Sequence, residues 1–298
     1  MNIEELELLR KKALNIILIG IFLTIIIAII LFIIADSPFI GLFAFISGII
    51  ITFIIDIIPT NKFNLAFKEV VVLKALKEVF TDLIYEPERG LDIYIIKNTG
   101  MMDMGDRYSS NDYISGKYKN INIVQADVHI EEENVTTDSD GNTTTSYETI
   151  FKGRWIIFDF NKNFNANIQV REKGFGNARI SNWGEKIKYK KIMMENEVFN
   201  NNFLIYAQNE HDAFYVLTPS LMEKIQKLAN NISGKLLFCF INNKLHIGID
   251  NNEDAFEHSI FAKINEANIS NEVLQDIKLI TTFVDELNLD NNLFRKGV

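Results

Sequence analysis

The stretch that decides the architecture is Ala13-Leu14-Asn15-Ile16-Ile17-Leu18-Ile19-Gly20-Ile21-Phe22-Leu23-Thr24-Ile25-Ile26-Ile27-Ala28-Ile29-Ile30-Leu31-Phe32-Ile33-Ile34-Ala35, followed after Asp36-Ser37-Pro38 by a second apolar run from Phe39 to Ile58. A helix needs about 20 apolar residues to cross a hydrocarbon layer of roughly 30 Å, and each run supplies them. The pair predicts a transmembrane helical hairpin over 13–58. A cleaved signal peptide does not fit. The first apolar core is too long, no small-x-small site closes it, and the second run follows at once.

Basic residues lie on one side of the hairpin. Arg10, Lys11 and Lys12 precede it; Lys62, Lys68, Lys74 and Lys77 follow it; the connection carries one Asp and no cation. The positive-inside rule then places both termini in the cytoplasm, at the inner or plasma membrane. Small residues recur every four positions: Gly20, Thr24 and Ala28 in the first helix, and Ala44, Gly48 and Thr52 in the second. That spacing puts each trio on one helix face and predicts a close-packed seam within the hairpin. Asp56 lies near the inner end of the second run, where it is expected to reach water or Lys12.

Outside the membrane segment the expectation is α+β, with mainly antiparallel sheet and peripheral helices. Residues 1–12 read as a cytoplasmic tail and 59–85 as a juxtamembrane amphipathic helix. Residues 86–298 read as a cytoplasmic domain, with a subdomain break near 176–190. Pro59 and Asn61 are expected to break the membrane helix, and Asn64–Tyr85 to carry one apolar face. Leu91–Ile96 reads as a short strand. Ile121–Ile130 and Ile150–Phe160 read as the arms of a long hairpin with a polar tip. Asp138-Ser139-Asp140-Gly141 resembles a calcium loop, but the glycine is misplaced and the distal glutamate is missing, so it reads as a turn. Phe203–Gln208 reads as a strand, Thr218-Pro219 as a helix start, and Lys235–Asp250 as a second hairpin turning at Asn242-Asn243. Ser270 is expected to cap a last helix with face Val273, Ile277, Ile280, Val284 and Leu287.

The net charge of −9 argues against nucleic acid as a partner. The lone Cys239 sits in an apolar run and reads as a buried hydrophobe. The four histidines have no ligand spacing, so no metal and no cofactor are expected. Gly174-Phe175-Gly176-Asn177-Ala178-Arg179 begins like a nucleotide loop but lacks its setting and third glycine. The candidate chemical cluster is Glu195, Glu197, His211 and Asp212, which together could supply an acid–base pair or bind a divalent ion. Two functions are open: a membrane-tethered binding or scaffold module with the bilayer and a membrane or cytoplasmic protein as partners, and a membrane-anchored hydrolase using that cluster. The balance leans away from an enzyme.

Phe151-Lys152-Gly153-Arg154-Trp155, Met194-Glu195-Asn196-Glu197-Val198-Phe199-Asn200 and Ala213-Phe214-Tyr215-Val216-Leu217-Thr218-Pro219 resemble a bacterial family known as domain of unknown function 3137. The resemblance implies two membrane helices near the N-terminus and a cytoplasmic-side domain. It brings no activity, cofactor or catalytic residue.

Overall fold

The computed structural model describes residues 1–159, 167–175, 189–264 and 266–289. The chain forms two compact units, Met1–Ala75 with Phe256–Leu274, and Leu76–Ala255 with Gln275–Val298. The expected subdomain break near 176–190 falls largely on 176–188, outside the described residues, as do positions 176–179 of the glycine-rich stretch.

The first unit is built on α1 (Ile3–Ala35) and α2 (Pro38–Phe67). A capping box opens α1. Asn2 Oδ1 accepts the Glu5 N–H at 2.8 Å, and the Glu5 carboxylate accepts the Asn2 N–H at 3.2 Å. The chain reverses through Asp36 in the left-handed region (φ 45°), then Ser37, with Pro38 opening α2. Across the hairpin each glycine makes room for a threonine. A Cβ on Gly20 would lie 2.4 Å from Thr52 Cγ2, and one on Gly48 would lie 2.6 Å from Thr24 Cγ2. Gly41 backs onto Ala28, whose carbonyl would be 3.3 Å from an added Cβ. Around this seam the hairpin exposes apolar side chains: Phe22 is 64% exposed, Ile34 76% and Phe39 81%. Both helices are long and apolar enough to cross a membrane.

Pro59 does not break the helix. It lies inside α2, which continues through a π-helical turn (Lys68–Val72) into α3 (Leu73–Val79). A proline forfeits one backbone bond, and the burial of Phe63 and Phe67 on the next turns holds the helix together. The expected helix over Asn64–Tyr85 is therefore an extension of α2, and it stops short. Phe80 N–H closes on Leu76 O at 2.9 Å, and Thr81–Glu86 forms strand β1. Asp56 is buried, with no ion pair to Lys12 among the described residues; Thr60 Oγ1 donates to it at 2.6 Å from the next turn.

Within this unit the chain from Phe256 onward is tied to the helices. Buried Arg10 pairs with Glu7 at 2.8 Å and donates to Ile260 O at 2.6 Å, while Glu7 accepts the Ile264 N–H at 3.2 Å. The Arg10 hydrogen bond holds the Glu7 carboxyl down at about 2. Lys68 pairs with Glu257 at 2.6 Å. The His258 ring stacks on Phe67 with centroids 5.2 Å apart.

The second unit is a sheet with helices. Its chain order is β1, α4 (Ile93–Lys97), β2 (Arg107–Tyr118), β3 (Ile121–Thr137), β4 (Thr143–Asp159), β5 (Ile168–Glu172), β6 (Lys190–Ile192), α5 (Glu197–Asn202), β7 (Phe203–Ala207), α6 (Glu210–Val216), α7 (Pro219–Asn231), β8 (Lys235–Ile241), β9 (Lys244–Asp250) and α8 (Glu266–Leu287), of which the first turns belong to the first unit. Among the described residues nine strands form one sheet in the order β1-β2-β3-β4-β9-β8-β5-β7-β6, and every pairing is antiparallel. The fold is α+β.

Turn chemistry sets the hairpins. Lys119-Asn120 and Asn242-Asn243 take positive φ at both central positions, the signature of two-residue hairpin turns that match strand twist. At the β3–β4 tip the Asp138 carboxylate accepts the N–H groups of Asp140 (2.9 Å) and Asn142 (2.8 Å), which accounts for the calcium-like spelling as a turn. Two expectations fail. Leu91–Ile96 is not a strand: Asp92 accepts the Tyr94 N–H at 2.8 Å and starts α4. Ser270 is not a cap, because α8 begins at Glu266. The expected apolar face of that helix, Val273 to Leu287, is buried throughout.

Two substitutions test these contacts. Gly48→Ile forces a side chain into Thr24 and is expected to destabilise the hairpin by about 1–3 kcal/mol, whereas exposed Ile46→Ala is neutral, as read by thermal unfolding. Gly153 has φ +150°, and a Cβ there would lie 2.0 Å from Ile249 O. Gly153→Ala should therefore lower the melting temperature clearly more than Gly141→Ala, whose site (φ +84°) is open.

Candidate functional site

A cleft of about 340 Å³ opens on one face of the sheet. Its floor is a row of directly paired residues: Val124 on β3, Ile157 on β4 and His246 on β9. Tyr113 on β2 closes one end, and Lys244 flanks His246 at the other. Arg89 to Asp92, with Ile95 of α4, form the opposite wall. The Asp92 cap fixes that wall, and Tyr108 Oη donates to Leu91 O at 2.8 Å from below.

His246 is 7% exposed. Trp155 Nε1 donates to its Nδ1 at 3.3 Å, and an indole N–H can only donate, so the ring proton of the neutral imidazole sits on Nε2. Nε2 has no protein partner among the described residues. Burial, and then the charge of Lys244, hold the imidazole down at about 4, so it is neutral at pH 7. Behind it Cys239 pairs in register with His246, and burial pushes its thiol up, which makes it inert.

The opposite sheet face carries a buried polar cluster. Asp127 is 1% exposed and pairs across strands with Arg154. Arg154 binds the Asp276 carboxylate and donates to Asp276 O at 3.0 Å. Asp127 Oδ2 accepts the Ala255 N–H. Burial pushes the Asp127 carboxyl up to about 8, against the pull of Arg154 and with the push of Asp112. Gln125, two residues before Asp127 on the same face, is buried and its amide has no protein partner among the described residues.

The sequence candidates lie elsewhere. Glu195 precedes α5, Glu197 begins it, and both are exposed. His211 and Asp212 lie in the first turn of α6, His211 exposed and Asp212 half-buried. No hydrogen bond or ion pair joins the first two to the last two among the described residues, nor does any group of three or more His, Cys, Asp and Glu there converge to hold a metal ion. Of the small residues, Gly20 lies against Thr52 and Gly48 against Thr24, while Ala28 lies against Gly41. Sequence reasoning missed the cleft. Its one local signal was His246 standing in an apolar alternation.

The two buried groups give opposite pH dependences. Folded Asp127 keeps a proton that the unfolded chain loses above about pH 4, so its contribution to stability is lost as pH rises toward 8. Folded His246 refuses a proton that the unfolded chain takes up below about pH 6.5, so its contribution is lost as pH falls toward 4. Below about pH 6.5 they offset each other; above it Asp127 acts alone. Denaturant unfolding should show stability falling between pH 6.5 and 8 by at most ~1.4 kcal/mol per unit, and Asp127→Asn should flatten that limb.

Comparison with known proteins adds the following. No curated protein matches the chain. A similar solved structure, described as the crystal structure of the mycobacterial trehalose monomycolate transport factor A, TtfA, is 10% identical with a TM-score of 0.39, and the likeness covers 78% of this chain and 97% of that one. That likeness is too slight to argue from. Residues 1–148, the hairpin included, lie outside the family match. Residues 149–289, which contain all three resembling segments, match the family described as Protein of unknown function (DUF3137).

Proposed function

We propose that the chain is a membrane-tethered binding module. The observation that carries this reading is the bare apolar surface of α1 and α2 around a closed seam. Residues such as Phe22, Ile34, Phe39 and Phe43 are more than half exposed, while Thr24 and Thr52 are buried between the helices. Soluble monomers rarely expose a contiguous apolar patch beyond a few hundred Å². Two helices that satisfy their own backbone groups can sit in lipid at no such cost. About 20 residues of each suffice to cross, which leaves the polar ends Met1–Lys12 and Pro59–Phe67 in water.

In this reading the basic residues Lys11, Lys12, Lys62, Lys74 and Lys77 keep both ends cytoplasmic at the inner or plasma membrane, with Asp36-Ser37-Pro38 on the far side. Arg10 and Lys68 share that side and also hold the Phe256–Ile264 segment. The partners are the bilayer and a membrane or cytoplasmic protein, and the acidic charge disfavours nucleic acid. Among the residues lining the cleft the one carboxylate, Asp92, is occupied as a helix cap, which supports binding over acid–base chemistry. The hydrolase alternative on Glu195, Glu197, His211 and Asp212 has no comparable observation behind it.

Cysteine labelling in intact cells tests the anchor and its orientation together. Cys239 is buried and does not report. Ser37→Cys should react with a membrane-impermeant maleimide added outside, and exposed Asn142→Cys should react only after permeabilisation. Labelling of Asn142→Cys in intact cells, or release of the chain by alkaline carbonate, refutes the reading.

A further inference from the structure

The cleft has the build of a ligand site. Its volume, about 340 Å³, lies at the small end of pockets that hold small molecules. Its floor crosses four strands from Tyr113 to His246, three strand spacings or roughly 14 Å. That path is apolar along Val124 and Ile157, with Leu91 and Ile95 above it. Polar groups stand at both ends, Arg89 over Tyr113 at one and His246 with Lys244 at the β9 end. There His246 lines the cleft with its Nδ1 committed to Trp155, which leaves Nε2–H as the ring's donor, and Lys244 lies two residues away on the same strand face.

The cation at the β9 end is available, whereas the one at the β2 end is engaged. Lys244 pairs with Asp159 at 3.4 Å, and both are well exposed, so the pair is worth little and re-forms readily around another anion. Arg89 lies 4.0 Å over the Tyr113 ring and pairs with Glu86, closing the other end. A ligand suited to this shape is slender and apolar for most of its length, with a single hydrogen-bond acceptor of negative charge at the β9 end.

We propose that the cleft binds a short acyl carboxylate, its alkyl chain lying over Val124 and Ile157 and its carboxylate taking the Nε2–H of His246 beside Lys244. The Trp155 N–H on Nδ1 fixes Nε2 as the nitrogen that donates. A cationic head would meet Lys244 and a proton donor, so alkylamines are rejected. An alcohol loses the charge contact and binds more weakly. The inference goes beyond the tethering role and does not depend on the hairpin crossing a bilayer.

The test uses the full chain in lipid nanodiscs, with Trp183→Phe leaving Trp155 as the sole indole and empty nanodiscs as the partition control. Octanoate should change Trp155 emission saturably, and octanol and octylamine should each need at least tenfold higher concentration. Val124→Phe, which narrows the floor, should abolish the response. Ile95→Phe, from the opposite wall, serves as the second variant should Val124→Phe not fold. His246→Phe should weaken uptake of labelled octanoate in equilibrium dialysis at least tenfold. The proposal is overturned by a response that never saturates, by octylamine or octanol acting at the same concentration, or by octanoate binding that survives unchanged in the folded cleft variants.

Discussion

Strict alternation along an antiparallel ladder is the constraint on which the second unit depends. Because successive side chains leave a strand on opposite faces, β4 sends Arg154 one way and Trp155 the other. The same parity on β3 separates Gln125 and Asp127 from Val124 and Ala126. Register then carries each choice sideways, so Asp127 meets Arg154 while Val124, Ile157, His246 and Cys239 fall into line across four strands. A slip of one residue in either hairpin would exchange the buried charges for the cleft floor. Two-residue turns at Lys119-Asn120 and Asn242-Asn243, each needing φ > 0 twice, pin the register of β2 on β3 and of β8 on β9.

What could be read in advance follows from how local each signal is. The apolar runs, the strands β3, β4, β8 and β9 and the buried face of α8 are written as periodicities within single segments, and the structure carries each of them. The misreadings come from local signals that compete. Leu91–Ile96 is rich in residues that favour strands, yet one carboxylate, Asp92, satisfies the Tyr94 N–H and starts a helix. Pro59 reads as a breaker because its own chemistry is local, while the packing of Phe63 and Phe67 that overrides it is not. Helical periodicity through Tyr85 hid β1, which exists because Tyr85 and Glu86 pair with Ile114 and Tyr113 on β2.

The cleft was invisible for a different reason. Its lining comes from separated pieces of chain: residues 89–95, Tyr113, Val124, Ile157 and 244–246. No motif spans them, and only sheet order brings them together. Carboxylates and a histidine close in sequence, such as Glu195, Glu197, His211 and Asp212, attract notice in a linear reading. The structure puts the first two at one short helix and the last two at another, mostly on the surface. Proximity in sequence and convergence in space are separate properties, and the sheet supplies the second.

The sheet interior also shows how ionisable groups are held without much charge. Asp127 and His246 are both buried, and a buried ion costs several kcal/mol unless it is paired. Burial raises the carboxyl of Asp127 and lowers the imidazole of His246, so at neutral pH the first keeps its proton and the second gives its proton up. Each is then neutral and needs hydrogen bonds only, from Ala255 N–H and Trp155 Nε1. The guanidinium of Arg154 cannot be neutralised in this way, so it is matched by the carboxylate and carbonyl of Asp276 on α8. Arg171, equally buried, lies 5.3 Å from the Tyr206 ring and donates to Met101 O at 3.4 Å. Permanent cations therefore decide where α8 and the Thr99–Met102 segment must dock, while the titratable groups adapt to what burial allows. That division leaves His246 as the neutral, singly committed polar group in the cleft wall, able to donate a proton to a bond without carrying charge into the interior.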